Sequence, residues 1–200
     1  SLENIARVAR EFDLIVYADD IYTIFNYDKP FTPIATLDDM FDRTITIRSF
    51  SKDYCMTGFR IGWIVCPEYL INTFNTLNEC CIYTVPSFSQ RVALYGLQER
   101  KRIQPLIKEE FKKRLDYVYN RVQEIDWLDC KKPEGSIYIF LDIRKTGMTS
   151  SEFTSYCLEK YHIIVLSGTG FGDSGEGFVR IALTCGVEKL AVAFDRFKNL

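Results

Sequence analysis

The stretch Thr44-Ile-Thr-Ile-Arg-Ser-Phe-Ser-Lys52 constrains this chain more than any other. Thr44 to Arg48 alternates β-branched residues as a strand does, and the apolar pattern then gives way to two hydroxyls and a lysine. A strand therefore delivers Lys52 to its own C-terminal end. In open α/β sheets that end faces the ligand crevice, so a lysine there can form a Schiff base. Ser49, Ser51 and Arg60, eight residues past the lysine, offer the donors that a phosphate needs. One small region could hold both ends of an aldehyde phosphate. Taken alone, a lysine at a strand end is more commonly a solvated side chain, and it is the neighbours that give this one weight.

A second strand points to the same place. Leu14-Ile-Val-Tyr-Ala-Asp-Asp-Ile-Tyr22 is a continuous apolar run that breaks into acid at its C-terminal end, as a buried parallel strand does where it meets a site. This places Asp19 in the crevice near Lys52. Read in isolation, Asp19 would serve as a helix N-cap and Tyr22 as a half-buried core residue.

Around these two strands the patterning is mixed. Leu2 to Phe12 reads as an amphipathic helix, and Thr23 to Phe41, with Pro30 and Pro33, reads as a loop ending in a helical turn near Leu37 to Met40. Asp53 to Gly58 is expected to loop back into a strand, Phe59 to Cys66, closed by Pro67. Helices follow over Glu68 to Tyr83 and Ser87 to Gln98. From Ile103 to Trp127 a long amphipathic pattern sets Ile103, Leu106, Ile107, Phe111, Leu115, Val118 and Val122 on one stripe. A helix of ~25 residues spans almost 40 Å, enough to bridge two domains. Beyond it come a strand after Pro133-Glu-Gly-Ser-Ile-Tyr138, a helix over Thr149 to Tyr161, a short strand at Ile163 to Leu166, a strand around Arg180 and a terminal helix over Val187 to Leu200. Gly168-Thr-Gly-Phe-Gly172 does not satisfy Gly-x-Gly-x-x-Gly, so turn and close packing account for it.

Composition excludes several partners. The 200 residues are 47% hydrophobic with a net charge of -2, and cations interleave with acids, which argues against a nucleic-acid-binding face. No apolar run approaches a membrane span, and Ser1-Leu-Glu-Asn-Ile has no signal-peptide pattern, so the expected location is the cytoplasm. Seven cysteines without a Cys-x-x-Cys pair and a lone histidine, His162, give no metal site. The cysteines are expected to be reduced and mostly buried.

Ser49-x-Ser51-Lys52, continued to Thr57-Gly-Phe-Arg60-Ile-Gly62, resembles the signature of the class I and II aminotransferases, the fold-type-I pyridoxal phosphate enzymes. Asp19-Asp-Ile-Tyr22 is similar to that family's Asp-Glu-x-Tyr motif, Pro133-Glu-Gly-Ser-Ile-Tyr138 to its Pro-x-Gly-[Ala/Ser]-x-[Tyr/Phe] segment, and Gly177-Phe-Val-Arg180 to its last motif. The resemblance implies pyridoxal 5'-phosphate held as a Schiff base on Lys52. Asp19 would pair with the pyridine nitrogen, Ile21 lie against a ring face and Tyr22 reach the ring oxygen. Ser49, Ser51 and Arg60 would anchor phosphate. Arg180 would grip the substrate carboxylate, although in isolation it reads as a strand arginine paired with a surface acid. Asp20 stands where the family more often has Glu, and Ser167 where a proline commonly precedes the glycine loop.

The resemblance implies an α/β chain: the C-terminal part of a mainly parallel-sheet large domain with its bridging helix, 1–125, and a smaller α+β domain, 126–200. The implied reaction is transfer of an amino group between an amino acid and a 2-oxo acid, in a homodimer when full length. Carbon–sulfur lyase or decarboxylase chemistry on the same fold, or a non-catalytic fragment, are the alternatives. The family's upstream motifs are missing, so the chain reads as a truncated C-terminal portion.

Overall fold

A computed structural model describes residues 1–198. It divides into two compact units, Ser1–Ile107 and Lys108–Leu200. The first unit is built on a three-stranded sheet in the order β1 (Val16–Asp19), β2 (Thr44–Ser49), β3 (Gly62–Val65). β1 and β2 run parallel with Asp19 opposite Ile47, whereas β3 returns antiparallel with Gly62 opposite Ser49. Side chains alternate across a strand, so Val16 and Ala18 turn towards helix α1 (Leu2–Glu11), where Ala6, Ala9, Ile34 and Met40 form a small core. The opposite face carries Tyr17, Asp19, Ile47 and Ile64, and Tyr17 is 66% exposed.

The expected buried strand from Leu14 to Tyr22 is thus four residues long, and Leu14 and Ile15 are exposed. Its apolar run is written for a strand with neighbours on both sides, but β1 is the edge of this sheet. The strand expected from Phe59 is also shorter. A 3-10 turn occupies Thr57–Phe59 and Arg60 is left-handed (φ 51), so β3 begins at Gly62. Helices α3 (Glu68–Cys81) and α4 (Ser87–Gln98) lie where expected, yet α3 buries no residue. Cys80 and Cys81 on α3 are exposed with Cys55 and Cys185, which corrects the expectation that the cysteines are mostly buried. A second apolar cluster joins Phe50, Tyr54 and Met56 to Ala93 of α4.

Helix α5 (Arg100–Val122) contains the point at which the two units divide. Phe111, Leu115, Val118 and Val122 of its expected stripe are buried, while Leu106 is 60% exposed. In the second unit β4 (Tyr138–Asp142), β5 (Leu166–Ser167) and β6 (Phe178–Ala182) form an antiparallel sheet in the order β4-β6-β5. Ile139, Leu141, Val179 and Ile181 are buried on one face of it, while Tyr138, Phe140, Phe178 and Arg180 share the other. The helix expected over Thr149 to Tyr161 is α6 (Ser150–Tyr156), opened by a capping box between Thr149 and Glu152, followed by a π turn at Cys157–Tyr161. The expected strand Ile163 to Leu166 pairs only at Leu166 and Ser167, and Ile164 is exposed. Helix α7 (Val187–Phe197) turns Leu190, Phe194 and Phe197 inward; the last two residues of the expected helix, Asn199 and Leu200, lie outside the described residues. No described helix is long and apolar enough to cross a membrane, and no described cluster of His, Cys, Asp or Glu could hold a metal.

Candidate functional site

β2 ends at Ser49, whose side chain caps the short helix α2 (Phe50–Asp53) by accepting the backbone N–H of Ser51 at 3.0 Å. The cap stops the strand and turns the chain, so Lys52 is carried on the helical turn that follows β2 and not on the strand itself. Lys52 is half-buried. The hydroxyl of Ser49 acts here only as acceptor and keeps its own proton to donate.

The β1–β2 ladder sets Asp19 beside this turn: Asp19 is level with Ile47, and Asp20 N–H donates to Ile47 O at 3.0 Å. Asp19 is exposed. Asp20 is half-buried with Oδ2 unpartnered, and its carboxyl is pushed above the ordinary value by burial, with Arg48 opposing the rise and Asp19 adding to it. Tyr22 is half-buried against Phe25, with ring centroids 6.4 Å apart. Ile21, between Asp20 and Tyr22 in sequence, is half-buried.

A direct bond closes this arrangement. The hydroxyl of Thr23, next to Tyr22, donates to Oδ2 of Asp53, next to Lys52. Asp53 is 5% exposed. Its carboxyl is raised above the ordinary value by burial, an effect opposed by the Thr23 hydrogen bond, by the backbone of Ile24 and Thr23, and by Arg48. Arg48 lies over the Phe31 ring at 5.3 Å and reaches Asp20 O at 3.5 Å. Nothing in the sequence marks Asp53, Thr23 and Arg48, since no residue type or spacing shows which carboxylate the fold buries.

Arg60 follows on the other side of the turn. Phe50 N–H donates to Ile61 O at 3.2 Å, which extends the β2–β3 ladder and brings Arg60 beside Ser49 to Lys52. Its guanidinium donates to Thr57 O at 3.1 Å. Its left-handed backbone costs about 1 kcal/mol for a residue with a Cβ. No ion pair among the described residues involves Lys52 or Arg60. The first unit therefore gathers an amine, two hydroxyls and a guanidinium with no acid to neutralise the cations, and a carboxylate at the end of the adjacent strand. That donor set fits an aldehyde and a phosphate at one end of a ring and a protonated ring nitrogen at the other.

Arg180 belongs to the second unit. On β6, opposite Phe140, its guanidinium lies between two rings, 4.1 Å from the Tyr138 centroid and 4.3 Å from that of Phe171. Its Nε is buried with no hydrogen-bond partner, and no described carboxylate pairs with it. The expected alternative of a strand arginine serving a surface acid does not occur. Stacking fixes the plane of the fork and leaves its charge unneutralised. Neither Cys130 nor Cys157 competes as a nucleophile: desolvation pushes the half-buried Cys130 up to about 11 and the buried Cys157 up to about 12.

Comparison with known proteins adds an independent line. The family model described as aminotransferase class I and II matches residues 1–197. The chain is 37% identical over 206 residues to aromatic-amino-acid aminotransferase 2 of Thermococcus litoralis, covering 100% of this chain and 52% of the relative. It is 39% identical over 204 residues to aspartate aminotransferase of Pyrococcus abyssi, again covering 100% and 52%. Among solved structures, an aromatic aminotransferase from Pyrococcus horikoshii superposes with a TM-score of 0.94 at 36% identity, covering 99% of this chain and 54% of that one. The chain spans about half the length of the curated relatives it matches.

Proposed function

Because the chain belongs to the class I and II aminotransferases, we propose that it is the C-terminal portion of a pyridoxal phosphate-dependent enzyme that moves an amino group between an amino acid and a 2-oxo acid. The observation that supports this reading is that the β1–β2 ladder and the bond from Thr23 to Asp53 tie the segment bearing Asp19 and Tyr22 to the turn bearing Lys52. In this reading residues 1–125 hold the cofactor and 126–200 form the small domain that contributes Arg180. The working form is a homodimer.

Bound pyridoxal phosphate supplies the electron sink that makes a substrate's Cα–H bond acidic. Lys52 would anchor it through Nζ and, with that amine free, would take the proton from the substrate's Cα. Asp19, as a carboxylate, would hold a proton on the ring nitrogen, the Tyr22 hydroxyl would bond the ring oxygen, and Ile21 would pack against the ring. The hydroxyl protons of Ser49 and Ser51 and the fork of Arg60 would hold the phosphate. Arg180 meets the substrate's carboxylate by two parallel hydrogen bonds, which fixes the direction of its amino group.

Borohydride reduction of the enzyme loaded with pyridoxal phosphate, followed by peptide mapping, tests the anchor. The label is expected on the peptide containing Lys52, and Lys52→Ala abolishes both label and turnover. A label on any other lysine overturns the assignment.

A further inference from the structure

Among the described residues Arg180 has no ion pair, and its Nε is buried without a hydrogen-bond partner, so its orientation depends on the rings on either side. Tyr138 sits on β4, within the sheet. Phe171 does not: it ends the 3-10 turn Gly168–Phe171, in a loop that is half-exposed at its tip. What holds that loop decides whether the Arg180 fork keeps its second wall.

Two contacts hold it. Gly168 and Gly175 meet back to back, and a Cβ on either would overlap the carbonyl oxygen of the other. The second is Ser150, the first residue of α6, which is fully buried. Its Oγ accepts from Gly177 N–H at 2.8 Å and Phe178 N–H at 3.2 Å and donates to Gly175 O at 3.4 Å. One hydroxyl thus uses its donor and both acceptor sites on the end of the loop. Ser150 N–H, left unpaired by its place in the first helical turn, donates to Glu176 Oε1 at 2.8 Å. Removing the hydroxyl would leave three backbone groups at buried or half-buried residues without their partner, which the loop can relieve only by shifting.

We propose that Ser150 is a positioning residue for binding of the substrate carboxylate: it seats the 168–177 loop so that Phe171 covers one side of the Arg180 guanidinium. This rests on the reading of Arg180 as the carboxylate-binding group. Nothing in the sequence marks Ser150, because its effect passes through loop contacts 25 to 28 residues away to a side chain it does not touch.

The test uses two readouts. In the 200-residue chain, the Arg180 side-chain proton resonances, assigned by their loss in Arg180→Lys, are expected to be displaced upfield by the flanking rings. Ser150→Ala should remove roughly half of that displacement, Phe171→Leu the same share, and the double variant no more than Phe171→Leu alone, since both act on one wall. In the complete enzyme, Ser150→Ala should raise the KM for the amino donor about tenfold with kcat little changed. Ser150→Cys keeps the volume with a weaker hydrogen-bonding atom and should shift both readouts in the same direction, which covers the case in which the alanine variant does not fold. Unchanged Arg180 resonances in a folded Ser150 variant, or additive effects with Phe171→Leu, overturn the proposal. If Arg180→Ala itself leaves KM unchanged, the carboxylate reading has failed instead, and the resonance data still decide what Ser150 holds.

Discussion

A carboxyl group sits one residue beyond Lys52 in surroundings that oppose its ionisation. Asp53 has a single hydroxyl donor on Oδ2, an unpartnered Oδ1 and little access to water. Its folded-state affinity for protons lies above the ordinary value of 3.8. Between that value and the raised one, the folded protein keeps a proton that the unfolded chain has released, so this residue's contribution falls as pH rises through the window. Asp53→Asn keeps an acceptor for Thr23 and removes the titration. The variant should therefore gain stability relative to the parent as pH rises above 3.8, measured by urea unfolding across a pH series. A difference that stays constant with pH would show that Asp53 does not titrate abnormally. Such a residue marks the boundary of what sequence conveys. Lys52 and Asp19 could be singled out as candidates because each ends a strand pattern in the sequence, and Arg180 because Gly177-Phe-Val-Arg180 resembles a family motif. The burial of Asp53 and Ser150 and the contacts of Arg48 come from the fold, which no spacing encodes.

Secondary elements were legible to differing degrees, and the differences follow from who their neighbours are. β2 came out near its expected length because it is paired where its pattern calls for pairing. β1, written as nine residues of buried strand, pairs over four because it has a partner on one edge only. The end of β2 is the most tightly specified junction: Gly62 stands opposite Ser49, and a Cβ there would lie 2.6 Å from Arg48 O. Backbone cannot yield as a flexible side chain does. Gly62→Ala should push β3 away from β2 and cost roughly 1–3 kcal/mol, as overpacking does. It should also displace Ser49 and Arg60 together, so hydrogen exchange at the backbone amide of Phe50, which donates to Ile61 O, is expected to accelerate. Unaltered protection at that amide would mean that the junction is looser than the close approach implies.

Across the whole chain, the apolar surface is distributed unevenly between elements that have partners and elements that do not. The second unit folds its sheet and helices around Leu115, Val118, Ile139, Leu141, Phe153, Phe194 and neighbours that are nearly inaccessible. In the first unit, Tyr17 and Ile64 stand open on one sheet face, β1 is an unpaired edge, and α3 exposes Tyr69, Ile71 and Leu77 while burying nothing. An exposed edge strand and contiguous apolar surface both favour association. The relatives are about twice as long, and in the proposed reading the first unit supplies only the lysine, the ring-nitrogen partner and part of the phosphate anchor. Catalysis requires the reacting groups to be fixed on all sides. The 200-residue chain by itself is therefore expected to self-associate, seen as a concentration-dependent rise in sedimentation coefficient, and to show no amino-group transfer from a panel of common amino acids to 2-oxoglutarate. Glu→Lys substitutions remote from the sheet should leave the association intact, whereas Tyr17→Lys and Ile64→Lys, which charge the open face, should weaken it. A monomeric chain with robust transfer would show that the portion present is sufficient, and would require the ring to be enclosed by residues other than those argued above.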